Sequence, residues 1–386
     1  MAYIYCRNRW PTYVRIAGDF VKSEGTSKKK LKKALKTSTA VVLLTTAVLS
    51  VIYRLPLCFE SQNPAALAAA AFTLTNGEYK LENSKTEKPT ASDQKPTESA
   101  DTEPTVPKNH KRDKSTYYDS YGNHDGENKY TVEERTIGDT GTQVDNCFVK
   151  NKTGLSLDFD GLLSAKLPFS IDKGINSPQV LIYHTHTSEA YLDEDVDFFY
   201  DSFYSRTNNN DFNVVAVGDA LTEQLNKRGI KTVHDTTIHD ESYNGSYDRS
   251  VDTVYKNLEK YPDIKVVIDL HRDAIGTDEN KVKPVFTYNG KKGAQIMILA
   301  GCDTDGERGF DCWEENLNFA LKIQDKAETL YPDMTRPLNF DYFAYNEYVC
   351  NGSLLIEVGT ESNSIDEATY SGSLLGNAIA DVLLQQ

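Results

Sequence analysis

The fold prediction starts from residues 180–191, which read VLIYHTHTSEAY. The first four residues, Val180–Tyr183, have the length and apolar composition of a strand that is buried on both faces. The stretch then becomes polar, with two histidines and a glutamate within six positions. The spacing His186-x-x-Glu189 lets one loop aim an imidazole and a carboxylate at one point, and both groups are ligands that suit zinc. The alternative interpretation is a surface turn with incidental polar residues.

Strand and helix patterns alternate along the chain after this stretch. Apolar runs predict strands at 180–183, 230–234, 265–270, 295–300 and 353–356. Amphipathic spacing predicts helices at 213–227, 246–261, 312–330 and 366–384. This alternation indicates an α/β fold with a mixed or mostly parallel sheet and helices on both of its faces.

Four residues with suitable chemistry follow predicted strands, namely His186, Glu189, His271 and Glu357. Sheets of this kind bind ligands beyond the carboxyl ends of their strands, so we expect these side chains to lie close together. Each has an ordinary alternative: His271 as a hydrogen-bonded histidine, and Glu357 as a helix cap or surface carboxylate. His184 adds one ligand more than the three that a catalytic zinc usually keeps. It is therefore either an alternative ligand or a neighbour of the site.

The charge pattern of the N-terminal third predicts a membrane anchor and a linker. Residues 1–36 are basic and predict a cytoplasmic leader, and residues 37–57 carry Arg54 as their one charge and predict a transmembrane anchor. A cleaved signal peptide is the alternative. Residues 58–144 predict a low-complexity extracytoplasmic linker, and residues 145–386 the catalytic domain. The predicted localisation is a single-pass membrane protein with its catalytic domain outside the cytoplasm.

Several other classes of protein find no support in the sequence. The six cysteines show neither CxxC spacing nor a cluster with histidine, so a cysteine zinc site is not predicted. Phosphate-binding glycine loops and the Gly-x-Ser-x-Gly motif of serine hydrolases are also missing from the sequence. The basic leader is better explained by the apolar run that follows it than by a nucleic-acid partner.

Four stretches together resemble the stage II sporulation protein P family, which comprises membrane-anchored peptidoglycan hydrolases of endospore-forming bacteria. They are VLIYHTHTSEAY, YNGSYDRS at 243–250, VVIDLHRDAIG at 266–276 and LLIEVGTESNSIDEA at 354–368. The resemblance implies a fold similar to zinc N-acetylmuramoyl-L-alanine amidases and Zn²⁺ as the cofactor. It also implies cleavage of the N-acetylmuramoyl-L-alanine bond during septal wall degradation and engulfment, with an additional endopeptidase activity on stem-peptide cross-links.

The resemblance assigns roles to individual residues. It implies His186, Glu189 and His271 as zinc ligands and Glu357 as the catalytic base. This chain departs from the amidase pattern at His184-Thr185-His186, where those amidases have one histidine, and also at Asn346-Glu347, where we expect Asn-Gln. The predicted substrate-binding residues are Arg336 and Asn363, with a structural role as the alternative for Arg336.

The implied partners are peptidoglycan and, by family resemblance, stage II sporulation proteins D and M. Two other functions compete with the amidase. One is a non-catalytic scaffold that binds the wall, which has no need of a carboxylate at position 357. The other is a zinc carboxypeptidase that trims peptide ends.

Overall fold

Two sheets organise residues 112–385, the part of the chain that the computed structural model describes. The strands are β1 (Lys129–Arg135), β2 (Thr142–Val144), β3 (Cys147–Asn151), β4 (Val180–Tyr183), β5 (Phe198–Tyr200), β6 (Thr232–His234), β7 (Val266–Asp273), β8 (Asn280–Tyr288), β9 (Lys291–Ala294), β10 (Ile296–Gly301), β11 (Leu338–Asp341) and β12 (Ser353–Thr360). The main sheet has eight strands in the order β2-β3-β11-β10-β12-β7-β4-β6. The smaller sheet has the order β5-β1-β8-β9.

The main sheet is mixed but mostly parallel. Strands β12, β7, β4 and β6 run parallel to one another, as do β3, β11 and β10. The antiparallel pairs are β2 with β3 and β10 with β12. The predicted α/β fold with a mixed or mostly parallel sheet is therefore confirmed.

Helices cover both faces of the main sheet, as predicted. They are α1 (Phe159–Ser164), α2 (Val214–Lys227), α3 (Ser246–Lys260), α4 (Trp313–Leu330) and α5 (Ile365–Leu384). Successive residues of a strand point to opposite faces. Ile182 and Ile268 belong to the large core under α2, α4 and α5. Leu181 and Val267 pack against Val254 of α3 on the opposite face.

Helix α5 is set by local sequence signals and by close packing. The Ser364 side chain accepts a hydrogen bond from Glu367 N, and the Glu367 side chain accepts one from Ser364 N, which forms a capping box. Helices α2 and α5 approach closely because Gly372 has no side chain. A Cβ atom there would lie 2.8 Å from the carbonyl oxygen of Val217.

Residues 112–144, which the sequence assigned to the linker, contain β1 and β2 and pack on the rest of the fold. Strand β1 lies between β5 and β8. Tyr117 stacks on Phe212 at 4.7 Å and donates a hydrogen bond to the carbonyl oxygen of Tyr191. The apolar contacts come from scattered residues such as Tyr118 and Val132, which lie among polar neighbours. Because these apolar residues are few and separated by polar ones, the sequence of this segment resembles that of a linker.

The predicted single-pass membrane localisation is corrected here. Within residues 112–385, no helix combines the length and the apolar character that crossing a bilayer requires. The longest helix, α5, has 20 residues but carries Asp366, Glu367 and Asp381, and it packs in the core. The predicted leader at 1–36 and anchor at 37–57 lie outside the described residues.

Candidate active site

His186, Glu189 and His271 lie together at the ends of β4 and β7. A turn after β4, closed by a hydrogen bond from Glu189 N to His186 O, brings the first two side chains to one side. His271 Nδ1 lies 3.4 Å from Glu189 Oε2. The ring centroids of His186 and His271 are 5.5 Å apart, with the rings nearly perpendicular at 84°. The structure thus groups the three predicted ligands.

Asp269 supports His271 from the other side, and the sequence analysis missed it. His271 Nε2 lies 2.8 Å from Asp269 Oδ1, which is an ion-pair contact although it is out of line for a hydrogen bond. Asp269 also accepts hydrogen bonds from the backbone and the hydroxyl of Thr185. Burial alone would lower the pKa of His271, but the carboxylates of Asp269 and Glu189 raise it well above its usual value. The sequence does contain a signal for this contact. Asp269 lies two positions before His271 on one strand, so both side chains point to the same face of the sheet.

Glu189 is a buried carboxylate held in its charged form. Burial would raise the pKa of Glu189, but the nearby Arg272 guanidinium and His271 outweigh this effect and hold the pKa well below its usual range. Arg272 N donates a hydrogen bond to Glu189 Oε2 at 3.2 Å. Arg206 Nη2 lies 3.6 Å from Glu189 Oε1 and links it to Asp240. The sequence analysis did not find Arg206 or Asp240.

His184 has a different environment from His186. It is fully buried, and its Nδ1 lies 2.8 Å from the carbonyl oxygen of Leu270. Its Nε2 lies 2.8 Å from Nε2 of His234, which contacts Asp219 through its other nitrogen. Because a carbonyl oxygen only accepts, His184 Nδ1 carries the proton. Burial lowers the pKa of His184 to about 3, so the ring is neutral at ordinary pH. Both ring nitrogens are thus engaged away from Glu189.

Glu357 lies within β12 and not beyond its end, because the strand extends past the predicted boundary at 356 to Thr360. It is in register with His271 on β7 and with Met297 on β10, so the three side chains share one face of the sheet. Its Oε2 atom is buried and has no hydrogen-bond partner among residues 112–385. Burial, together with the charge of Asp273, raises the pKa of Glu357 to about 8.

The two predicted substrate-binding residues have contrasting environments. Asn363 is buried in the turn between β12 and α5, where its Oδ1 accepts from Thr360 N and its Nδ2 donates to Pro284 O and Glu367 Oε2. The carbonyl oxygen and both amide hydrogens of Asn363 are therefore used in hydrogen bonds within the fold. Arg336 is also buried, and its Nη1 lies 2.7 Å from Asp273 Oδ2.

Aromatic side chains border the site on the side of α3. Tyr243 is 65% exposed and stacks on the His186 ring, with centroids 4.7 Å apart and planes at 1°. Tyr247 meets the edge of the same ring and packs on Tyr345. Tyr345 has a φ of 34°, a left-handed value that costs energy for a residue with a side chain. The motif YNGSYDRS includes two of these rings, although the sequence analysis gave them no role.

The chemistry of His186, Glu189 and His271 suits zinc, and one pair of their ligand atoms has the separation that zinc requires, although the ligand atoms of all three do not lie within 4.8 Å of one another. Two ligand atoms about 2.0–2.1 Å from one tetrahedral zinc lie roughly 3.4 Å apart, which matches the separation of His271 Nδ1 from Glu189 Oε2. Asp269 Oδ1 lies 2.8 Å from His271 Nε2, the ring nitrogen opposite the one that faces Glu189.

A purely acidic group offers another set of ligand atoms. Among the described residues, the group whose ligand atoms all lie within 4.8 Å of one another comprises Glu134, Asp195 and Glu367. Lys283 and Lys292 lie among these carboxylates. Because the two lysines pair with these three carboxylates, this group is an ion-pair network.

The comparisons with solved structures found amidases. The CwlD amidase from Clostridioides difficile, in complex with the GerS lipoprotein, is 13% identical, and the match covers 54% of this chain and 97% of that chain with a TM-score of 0.32. The apo form of the N-acetylmuramyl-L-alanine amidase Ami1 from Mycobacterium abscessus is 11% identical, and the match covers 54% of this chain and 98% of that chain with a TM-score of 0.31.

The comparisons of the sequence found a family and a curated relative. Stage II sporulation protein P of Bacillus subtilis (strain 168) is 29% identical over 220 residues. The match covers 53% of this chain and 49% of that protein, so the chain spans about half the length of this relative. The family model described as stage II sporulation protein P matches residues 61–380.

Proposed function

The chain belongs to the stage II sporulation protein P family, and from this premise we propose that it is a zinc-dependent peptidoglycan hydrolase. The bond that we propose it cleaves is the amide between N-acetylmuramic acid and L-alanine. One observation carries the proposal: His271, which faces Glu189 at 3.4 Å, lies in register with Glu357, a partly exposed glutamate whose Oε2 is buried and has no hydrogen-bond partner among residues 112–385. A non-catalytic scaffold has no need of such a carboxyl group.

The proposed ligands are His186, Glu189 and His271. A zinc ion held by them would polarise the scissile carbonyl group and lower the pKa of a water molecule from 15.7 to about 7. Asp269 orients the His271 ring by its contact with Nε2, which leaves Nδ1 facing Glu189. Arg206 and the Arg272 backbone hold the Glu189 carboxylate in place.

Glu357 is the proposed general base and acid. Hydrolysis adds the oxygen of water to the carbonyl carbon and a proton to the amide nitrogen as the carbon–nitrogen bond breaks. Glu357 takes a proton from the water and passes it to the departing amine. Burial raises the pKa of Glu357 to about 8, and the positive charge of a bound zinc ion would favour the carboxylate form, which is the form that accepts a proton. Its partial exposure, shared by Met297, leaves this face of the sheet open to a substrate.

The biological setting that we propose follows from the family. It comprises septal wall degradation and engulfment during sporulation, with stage II sporulation proteins D and M as partners. A second activity that cleaves cross-links between stem peptides would use the same zinc ligands and the same base. Analysis of the products released from whole peptidoglycan sacculi distinguishes the amidase from this endopeptidase and from a carboxypeptidase.

The test uses the Glu357→Gln variant of the full-length chain. Glutamine keeps the size of the side chain but cannot take a proton at neutral pH. The variant should bind zinc and melt as the wild type does, while muropeptide release falls by roughly 10²–10⁴-fold. Glu223→Gln, an exposed change on α2, is the matched control and should release muropeptides at the normal rate. Near-normal release by Glu357→Gln would contradict the assignment of the base.

A further inference from the structure

Arg336 is a buried arginine with only one side of its guanidinium group in use. The residue is 4% exposed, and its Nη1 atom pairs with Asp273 Oδ2 at 2.7 Å. Its Nε and Nη2 atoms are buried and have no hydrogen-bond partner within residues 112–385. The hydrogens on Nε and Nη2 leave the guanidinium along one edge and in parallel, which makes this edge a two-pronged donor.

The ion pair with Asp273 places this edge over the middle of the main sheet. Arg336 N donates to the carbonyl oxygen of Ile296, so the residue lies beside β10 on the β11 side. Asp273 lies on β7, and β10 and β12 run between the two residues. At about 4.8 Å per strand, the two backbones are about 14 Å apart. The Arg336 side chain therefore extends across the sheet to bring its guanidinium to Asp273.

The strand that lies under this side chain is the one that carries Glu357. Glu357 is in register with Met297 of β10 and with His271 of β7. Asp273 is two positions beyond His271 on the same strand and therefore points to the same face. The guanidinium of Arg336 consequently lies on the face that holds the zinc ligands, close to the proposed base.

The ion pair with Asp273 leaves part of the hydrogen-bonding capacity of the Arg336 guanidinium unused. Taking a guanidinium out of water costs several kcal/mol unless its donors find acceptors. Asp273 balances the charge but takes only one donor nitrogen. The free edge matches a carboxylate, because two parallel N–H groups can donate to its two oxygens at once. Lysine or an amide side chain offers no such pair.

We propose that the Nε–Nη2 edge of Arg336 is a subsite for a carboxylate of the substrate's stem peptide, bound over β12 beside Glu357. The inference rests on the proposed function and adds a selection rule to it. A stem peptide that presents a free carboxylate near the scissile amide is a good substrate. The same peptide with that carboxylate converted to a carboxamide is a poor one, because an amide nitrogen opposes the guanidinium donors.

The experiment compares two soluble muropeptides that differ only in this group, carboxylate or carboxamide. The full-length wild type should have a kcat/KM that is roughly 10–100-fold higher for the carboxylate, as loss of a charged two-point contact predicts. In the Arg336→Gln variant the ratio should fall towards one, through loss of activity on the carboxylate substrate. Arg336→Lys should recover only part of the ratio, because an ammonium group lacks the fork.

Arg228→Gln is the matched control. Arg228 also pairs with a carboxylate, Asp381, at 2.6 Å, but it directly follows the C-terminal end of α2, away from the site. The control should keep the wild-type ratio, and an equal fall in both variants would overturn the proposal.

The wild-type enzyme tests the subsite even if Arg336→Gln fails to fold, since a ratio near one in the wild type overturns the subsite by itself. If the wild type cleaves neither substrate, the proposed function fails. Calorimetric titration then measures the affinity of the protein for the free stem peptide and for its carboxamide. Tighter binding of the carboxylate form would support the subsite, and equal affinities would overturn it.

Discussion

His184 and His186 are separated by one residue but have opposite environments. The side chain of His186 faces His271 and the exposed ring of Tyr243, whereas His184 uses both ring nitrogens inside the core. We therefore expect His186→Ala to lose bound zinc. His184→Ala should keep most of its zinc, with activity reduced by roughly 10–100-fold because it supports the site indirectly. Metal analysis of the two purified variants is the measurement, and zinc loss from His184→Ala alone would reverse the assignment.

Glu347 is a buried carboxyl group at the position where family resemblance leads us to expect glutamine. Its Oε2 accepts a hydrogen bond from Gly301 N, and its Oε1 has no partner among the described residues. Burial raises the pKa of Glu347 well above its usual value of 4.5. The folded chain therefore keeps a proton that the unfolded chain releases, so the free energy of unfolding falls as the pH rises above about 4.5.

Glu347→Gln removes this pH dependence because glutamine does not ionise. Its free energy of unfolding should exceed that of the wild type at pH 8, and the difference should shrink at pH 5. Urea denaturation of both proteins at the two pH values measures this. Glu314→Gln, an exposed change on α4, provides the control. A difference between Glu347→Gln and the wild type that does not change with pH would contradict a protonated Glu347.

At the scale of elements, the segment before β1 fastens the smaller sheet to the fold. Tyr117 stacks on Phe212 and donates to Tyr191 O, and the Tyr191 hydroxyl donates to the carbonyl oxygen of Val358, next to Glu357. Tyr117→Ala should lower the free energy of unfolding by about 2–4 kcal/mol, since it removes a packed ring and a hydrogen bond. Tyr121→Ala, which changes a 71% exposed ring, should have an effect within about 0.5 kcal/mol. Urea denaturation distinguishes them, and equal effects would mean that the segment contributes nothing.

At the scale of the whole molecule, one buried lysine joins the smaller sheet to α5. Lys283 on β8 is 3% exposed and lies among the carboxylates of Glu134 on β1, Asp195 and Glu367 on α5. Lys283→Met should lower the free energy of unfolding by about 3–5 kcal/mol, because it leaves carboxylates without their central charge. Lys292→Met removes a more exposed partner of the same group and should cost less than about 1 kcal/mol. Thermal denaturation checks both, and a small effect of Lys283→Met would contradict this role.

The α/β class and the main strands near the proposed ligands follow from local patterns in the sequence. Runs such as Val180–Tyr183 are continuously apolar because both faces of a central strand are buried, so this signal is local. The spacing of His186 and Glu189 is also local, since one turn brings both side chains to the same side. Helix α5 was predicted within one residue of its start, because its periodicity is strong and it is long.

Features that depend on pairing between distant segments are visible only in the folded chain. Strand β1 pairs with β8, about 150 residues further along the chain. Because β1 contains several charged residues, it lacks the apolar pattern that predicts a strand. His184 is held away from the site by its contacts with Leu270 of β7 and with His234, and both residues are distant from it in the sequence. The position of Arg336 over β12 depends on the order of four strands. Local sequence carries no record of these neighbours, because burial and charge pairing arise only when the strands assemble.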